Sequence, residues 1–192
     1  MLLRSLTILA CTATLAAAGY AQTAPMPDHM KMNDKPAAKS DKPLASPAAK
    51  AEVQLNGKAI TVDYHAPSMR GRKIMGDLVP YGKEWRTGAN EATTLTTAGD
   101  LKIGDLSVPA GTYTLFTLPN ADQWLLIVSK KTGEWGIPYP EGNDLGRTPM
   151  QSHTLSEPQE KMSISFERTR GNTSELHVKW ETTDQYVTIT AE

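Results

Sequence analysis

From Val53 to the end of the chain, apolar and polar residues alternate in short runs, and no long stretch keeps the spacing of an amphipathic helix. Val53 and Leu55 share one face, Asn56-Gly57 follows, and Ile60, Val62 and Tyr64 resume the alternation. Two alternating runs around Asn-Gly predict a hairpin closed by a type I′ turn, whose central residues both need positive φ. Thr93–Ala98, Leu101–Ile103 and Leu106–Val108 predict further strands, separated by Gly99-Asp100 and Gly104-Asp105. In Thr112–Leu118, Tyr113 and Leu115 face one way while Phe116 and Leu118 face the other. A strand apolar on both faces belongs in the middle of a sheet. Runs at Trp124–Val128, Met162–Phe166, Leu176–Trp180 and Tyr186–Thr190 follow, the last three separated by turns at Arg170-Gly171-Asn172 and Thr182-Thr183-Asp184.

Two stretches lack this pattern. His65–Glu91 is rich in Gly, Pro and charge, and within it Ile74, Met75, Leu78 and Val79 predict a single helical turn stopped by Pro80. Lys131–Glu160 reads as a long loop. About nine short strands with frequent turns predict an all-β domain, either an antiparallel β-sandwich or a barrel. Short strands and two long loops favour the sandwich.

The first fifty of the 192 residues differ from the rest. Met1–Ala21 has Arg4, an apolar run over Leu6–Ala18 and then Gly19-Tyr20-Ala21, the pattern of a cleavable secretory signal. That run is shorter than the roughly 20 residues a bilayer span needs, so cleavage leaves no transmembrane span. The only cysteine, Cys11, lies inside it. Cleavage after Ala21 then removes all thiol and disulfide chemistry. Ile8-Leu9-Ala10-Cys11 offers a lipid anchor through Cys11 as the minor alternative. Residues 22–50 are rich in Pro, Ala and Lys and poor in large aliphatic side chains, which predicts a disordered linker. The expected organisation is a signal at 1–21, this linker, and one domain over 51–192, in the periplasm or secreted.

Within the linker, Met26, His29, Met30 and Met32 bring thioethers and an imidazole together, a soft donor set suited to copper. Against that stands a tether whose ligands nothing orients, and the tether is the favoured reading. A formal net charge of −1 gives no field of one sign and no reason to expect a nucleic-acid partner.

Polar chemistry concentrates between His65 and Glu91. Arg72, Arg86, Asn90 and Glu91, with His65, make the candidate site for a small anionic or polar ligand, Arg supplying forked donors. The sharpest piece is Trp85-Arg86-Thr87-Gly88-Ala89-Asn90-Glu91. Its alternative role is a structural clamp, with Trp85 in the core and Arg86 paired to a carboxylate. A hydrolase using His65 or Glu91 as general base is a further alternative. Ser68 has no G-x-S-x-G elbow, no H-E-x-x-H occurs, and His65, His153 and His177 are scattered, so nucleophilic and zinc chemistry find little support. His177, between Leu176 and Val178, is expected to face solvent. Trp135 and Tyr139, on a Gly/Pro-rich loop, are expected to fold back over an open end of the sandwich, with sugar stacking as the alternative.

Three stretches in this order, Gly71-Arg72-Lys73-Ile74 through Leu78-Val79-Pro80-Tyr81-Gly82, Trp85 to Glu91, and Pro109-Ala110-Gly111-Thr112-Tyr113-Thr114-Leu115-Phe116, resemble a bacterial family known as domain of unknown function 2911. The resemblance spans about Val53 to Thr190. It implies an exported, β-rich domain and brings no assigned activity or catalytic residue.

Overall fold

Asn56 (φ 51°) and Gly57 (φ 72°) take the left-handed conformation that the type I′ turn demands, joining β1 (Ala48–Leu55) to β2 (Lys58–His65) with Leu55 opposite Lys58. The computed structural model describes residues 45–192; the expected signal, Cys11, and the Met26, His29, Met30 and Met32 cluster lie outside them. β1 starts slightly ahead of Ala51. The remaining strands are β3 (Thr93–Thr97), β4 (Leu101–Ile103), β5 (Leu106–Val108), β6 (Gly111–Leu118), β7 (Leu125–Ser129), β8 (Asp144–Pro149), β9 (Gln151–Arg170) and β10 (Thr173–Ala191).

They form two antiparallel sheets, β1-β2-β3-β6-β7-β8 and β5-β4-β10-β9, which do not close into a barrel. The fold is the expected sandwich. β6 lies between β3 and β7, buried on both faces as its two-sided apolar pattern requires. Leu55, Ile60, Val62, Leu95, Leu115 and Leu126 meet Leu101, Ile103, Met162, Leu176, Trp180 and Ile189 in the main core. A smaller cluster of Ala92, Phe116 and Ile127, with Leu118 and Tyr139 against it, covers the outer face of the six-stranded sheet.

Four local expectations change. Ile74–Val79 is not a helical turn. Gly76, at φ 81°, donates to Val79 O at 2.9 Å, while Val79 N donates to Ile74 O at 2.9 Å, closing a tight loop that buries Ile74, Met75 and Val79. A right-handed turn needs negative φ at that glycine. Lys131–Glu160 is not loop throughout, since β8 and the first part of β9 fall within it. Gln151–Glu160 is exposed at almost every position, so the strand has no apolar face to betray it. The loop aromatics also depart from expectation: Tyr139 packs on the outer face of the six-stranded sheet, and Trp135 stays 52% exposed.

His177 is the fourth correction, because it is buried. β10 doubles back near Glu181, whose φ is 55° and where its register with β9 shifts. Residues seven apart on a straight strand stand roughly 23 Å apart. Here His177 Nδ1 and Asp184 Oδ1 are 2.8 Å apart, and Ala191 N donates to Asn172 O at 2.8 Å. The turn expected at Thr182-Thr183-Asp184 is thus present as a reversal inside β10. It lays Tyr186 on the His177 ring, 4.9 Å between centroids and 13° between planes. Glu175 takes the other ring nitrogen at 3.1 Å, and Lys179 pairs with Glu167 at 2.6 Å.

Two expected outcomes follow from this packing. Trp180→Ala removes a side chain that is 2% exposed and should cost about 3–5 kcal/mol in urea unfolding, whereas Trp135→Ala should cost less than about 1 kcal/mol. For the charge cluster, burial opposes ionisation of Glu167, but hydrogen bonds from Lys179 and Ser165 prevail and hold its carboxyl below the usual range. Its stabilising contribution is therefore present above the ordinary carboxylate value of about 4.3 and is lost as pH falls through the lower folded value. Melting curves recorded from pH 7 down to pH 3 should show a smaller acid-side loss in Lys179→Met than in the parent protein.

Candidate functional site

The backbone around Trp85 decides where Arg86 points. β3 pairs with β6 only as far as Thr93 opposite Leu115, which leaves the end of β6 without a neighbour on that side. Trp85 takes the place, exchanging hydrogen bonds with Thr117 at 2.8 Å in each direction. Its indole turns inward, stacked on Trp180 at 6.0 Å and edge-on to Trp124 at 6.5 Å, and donates to Gly88 O at 3.1 Å. Thr87, fully buried at φ 53°, then turns the chain, and Thr93 Oγ1 donates to its carbonyl at 2.9 Å. A Cβ at Gly88 would stand 3.1 Å from His65 O, so this turn has little room for a side chain.

Arg86 emerges on the opposite side from the indole. Its guanidinium lies over the Trp135 ring, 5.0 Å from the centroid, and donates to Trp135 O at 3.1 Å. Burial pulls its pKa below the ordinary arginine value, with the Glu91 charge opposing; the group stays a cation. Gly136, at φ 80°, lets the aromatic loop come this close, since a Cβ there would meet Arg86 Cβ at 3.1 Å. The far end of that loop is pinned too. Tyr139 packs edge-on against Phe116 at 4.9 Å and donates its hydroxyl to Asp144, which also receives Arg147 Nε at 2.8 Å. Burial and the Asp144 hydrogen bond push the Tyr139 pKa up, so this hydroxyl stays protonated.

Between these loops lies a cavity of about 270 Å³. Trp85, Trp180 and Val79 are among its buried or part-buried walls, Leu78 and Ile137 are exposed beside it, and Arg72 and Arg86 line it as well. Arg72 is held by its own loop, donating to Met69 O at 2.9 Å and Ser68 O at 2.7 Å.

The structure divides the five candidate residues. Arg72 and Arg86 come together on this cavity. His65 and Glu91 stand 3.4 Å apart on a different hollow of about 170 Å³ that also includes Tyr64 and Thr94. Asn90 lines neither and donates to Ser46 O at 3.3 Å, tying down the chain just before β1. Sequence reasoning missed Trp180, Leu78 and Ile137 as parts of the site. Only Ile137 carried a visible signal, an aliphatic residue alone among Gly, Pro and aromatics. Among the described residues no group of three or more His, Cys, Asp or Glu is placed to hold a metal ion, and no helix is long and apolar enough to cross a membrane.

No curated protein and no solved structure matches the chain. One family model does, described as a protein of unknown function (DUF2911), and it covers residues 46–189. That match takes in β1 to β9, β10 as far as Ile189, and both loops around the cavity, and the chain is a member of the DUF2911 family.

Proposed function

We propose that this domain is an exported binding module of the cell envelope that takes a small anionic or polar ligand in the Arg72–Arg86 cavity. One observation carries the reading. Arg86 is held on Trp135 at the side of a Trp-lined hollow, a partly desolvated cation whose one protein hydrogen bond among the described residues goes to Trp135 O. A guanidinium has five N–H donors, so several remain for a ligand, and partial burial makes each contact stronger than at an open surface. The holding contacts are made before any ligand arrives, which limits the ordering cost of binding.

The hydrolase reading has less behind it. His65 and Glu91 are adjacent, but the two hydroxyls of their hollow are engaged with the main chain: Tyr64 Oη with Ile164, and Thr94 Oγ1 with Ala92 O. The clamp reading expected Arg86 to pair with a carboxylate; among the described residues its side chain instead contacts Trp135, and Glu91 pairs with His65.

Thermal unfolding of the protein with acetate, benzoate, phosphate and glucose separates the readings. A ligand at 100 times its Kd adds about 2.7 kcal/mol, a rise of roughly 5–10 °C in Tm for a domain of this size. At least one anion should give such a rise, and Arg86→Ala should abolish it. A flat panel in which Arg86→Ala only lowers the Tm assigns the motif to scaffold and ends the binding reading.

A further inference from the structure

We infer that the ligand of this cavity is a monocarboxylate with an apolar body, such as an aryl or branched-alkyl acid; the inference rests on the binding reading above and narrows it. The walls argue for the apolar part. Ser46 is the one lining residue with a hydroxyl, and both indole N–H groups are already committed, Trp85 to Gly88 O and Trp180 to Glu160 O. A sugar or polyol would therefore lose water from its hydroxyls and find few partners. An apolar body loses nothing and packs on the part-buried Trp85 and on Leu78 and Ile137 beside it.

The same conclusion comes from the surface. Among the described residues the exposed large apolar side chains are Leu78, Tyr81, Trp135 and Ile137, at 46%, 46%, 52% and 66%. Isolated exposure of this kind is ordinary, and its concentration at one place is not. Leu78 and Ile137 line this cavity and Trp135 carries Arg86. Tyr81, on the same loop as Leu78, opens instead on a separate hollow with Asn120 and His153. A ligand whose apolar body reaches out from the cavity would cover Leu78 and Ile137.

The charge argues for one carboxylate. The two arginines exclude a cation. Arg72 has spent Nε and one bond from Nη2 on main-chain carbonyls, and Glu91 lies close enough to Arg86 to act on its charge. The positive charge left to a ligand suits a monoanion. A phosphate dianion would also bring a heavier desolvation cost, whereas a carboxylate matches the guanidinium fork with two oxygens. The volume, about 270 Å³, falls just below the range typical of drug-sized ligands, which points to a compact acid.

Calorimetric titration of the protein tests this with 3-phenylpropanoate, 4-methylpentanoate, acetate, phosphate and the neutral 3-phenylpropan-1-ol. At least one of the two larger acids should bind ten-fold or more tightly than acetate, phosphate and the alcohol. Arg86→Gln should weaken that acid at least ten-fold and leave the alcohol unchanged. Ile137→Asn, at a position 66% exposed, should weaken acid and alcohol alike, with the Tm measured alongside to show that the fold is kept. Phosphate or acetate binding as tightly as the larger acids, in an Arg86-dependent way, would overturn the inference and leave the anion-binding reading standing. No binding by any acid or by phosphate would sink both.

Discussion

Trp85 stacked on Trp180 is the contact on which the rest of the site depends. Trp180 belongs to the four-stranded sheet, Trp124 precedes β7 of the six-stranded one, and Trp85 arrives on a loop clipped to the end of β6. Three indoles at one place join both layers and a connecting segment, where aliphatic side chains would be too short to span. Large rings bury much apolar area for few rotatable bonds, so the loop is held as firmly as a strand. Because Trp85 sits in the β6 ladder, the alternation of an extended backbone sends Arg86 to the outside.

That outward arginine meets a loop prepared for it. The Trp135 segment is anchored by Tyr139 on Phe116 and by the Asp144–Arg147–Glu84 chain of polar contacts, with Arg147 and Glu84 3.3 Å apart. The small cluster on the outer face of the six-stranded sheet thus serves a second purpose beyond covering Phe116 and Ile127. It fixes the wall against which a cation is placed. Arginine suits the position because its flat guanidinium stacks on an indole and still presents edge donors, which an ammonium does not do.

The reversal in β10 plays the corresponding part in the other sheet. A bend at Glu181 lets one chain segment supply two adjacent strand positions, the first limb pairing with β9 and the last residues with β4. It also folds acidic and basic side chains of β9 and β10 over His177, so that polar groups on the outward face of the sheet are paired rather than left to water. Glu181 itself accepts from the backbone N–H groups of Ile74 and Met75, tying the bend to the loop that carries Leu78.

The sequence by itself determined the fold class, most of the strands, the Asn56-Gly57 hairpin and the central place of β6. Those features rest on alternation and turn chemistry, which act between residues near in the chain. It also singled out Arg72, Arg86 and Trp85, because charge and an aromatic crowd visibly between two strand-rich halves. Burial of His177 was illegible, since alternation placed it correctly on the outward face but could not show Asp184, Glu175 and Tyr186 closing over it. The partition of the candidate residues was decided by tertiary structure alone. Arg86 and Glu91 are neighbours in sequence, yet the turn at Thr87–Asn90 sends one toward Trp135 and the other toward His65. The cavity itself joins Trp85 and Arg86 to Leu78, Ile137 and Trp180, residues brought from distant parts of the chain by sheet packing, and no local pattern encodes such a meeting.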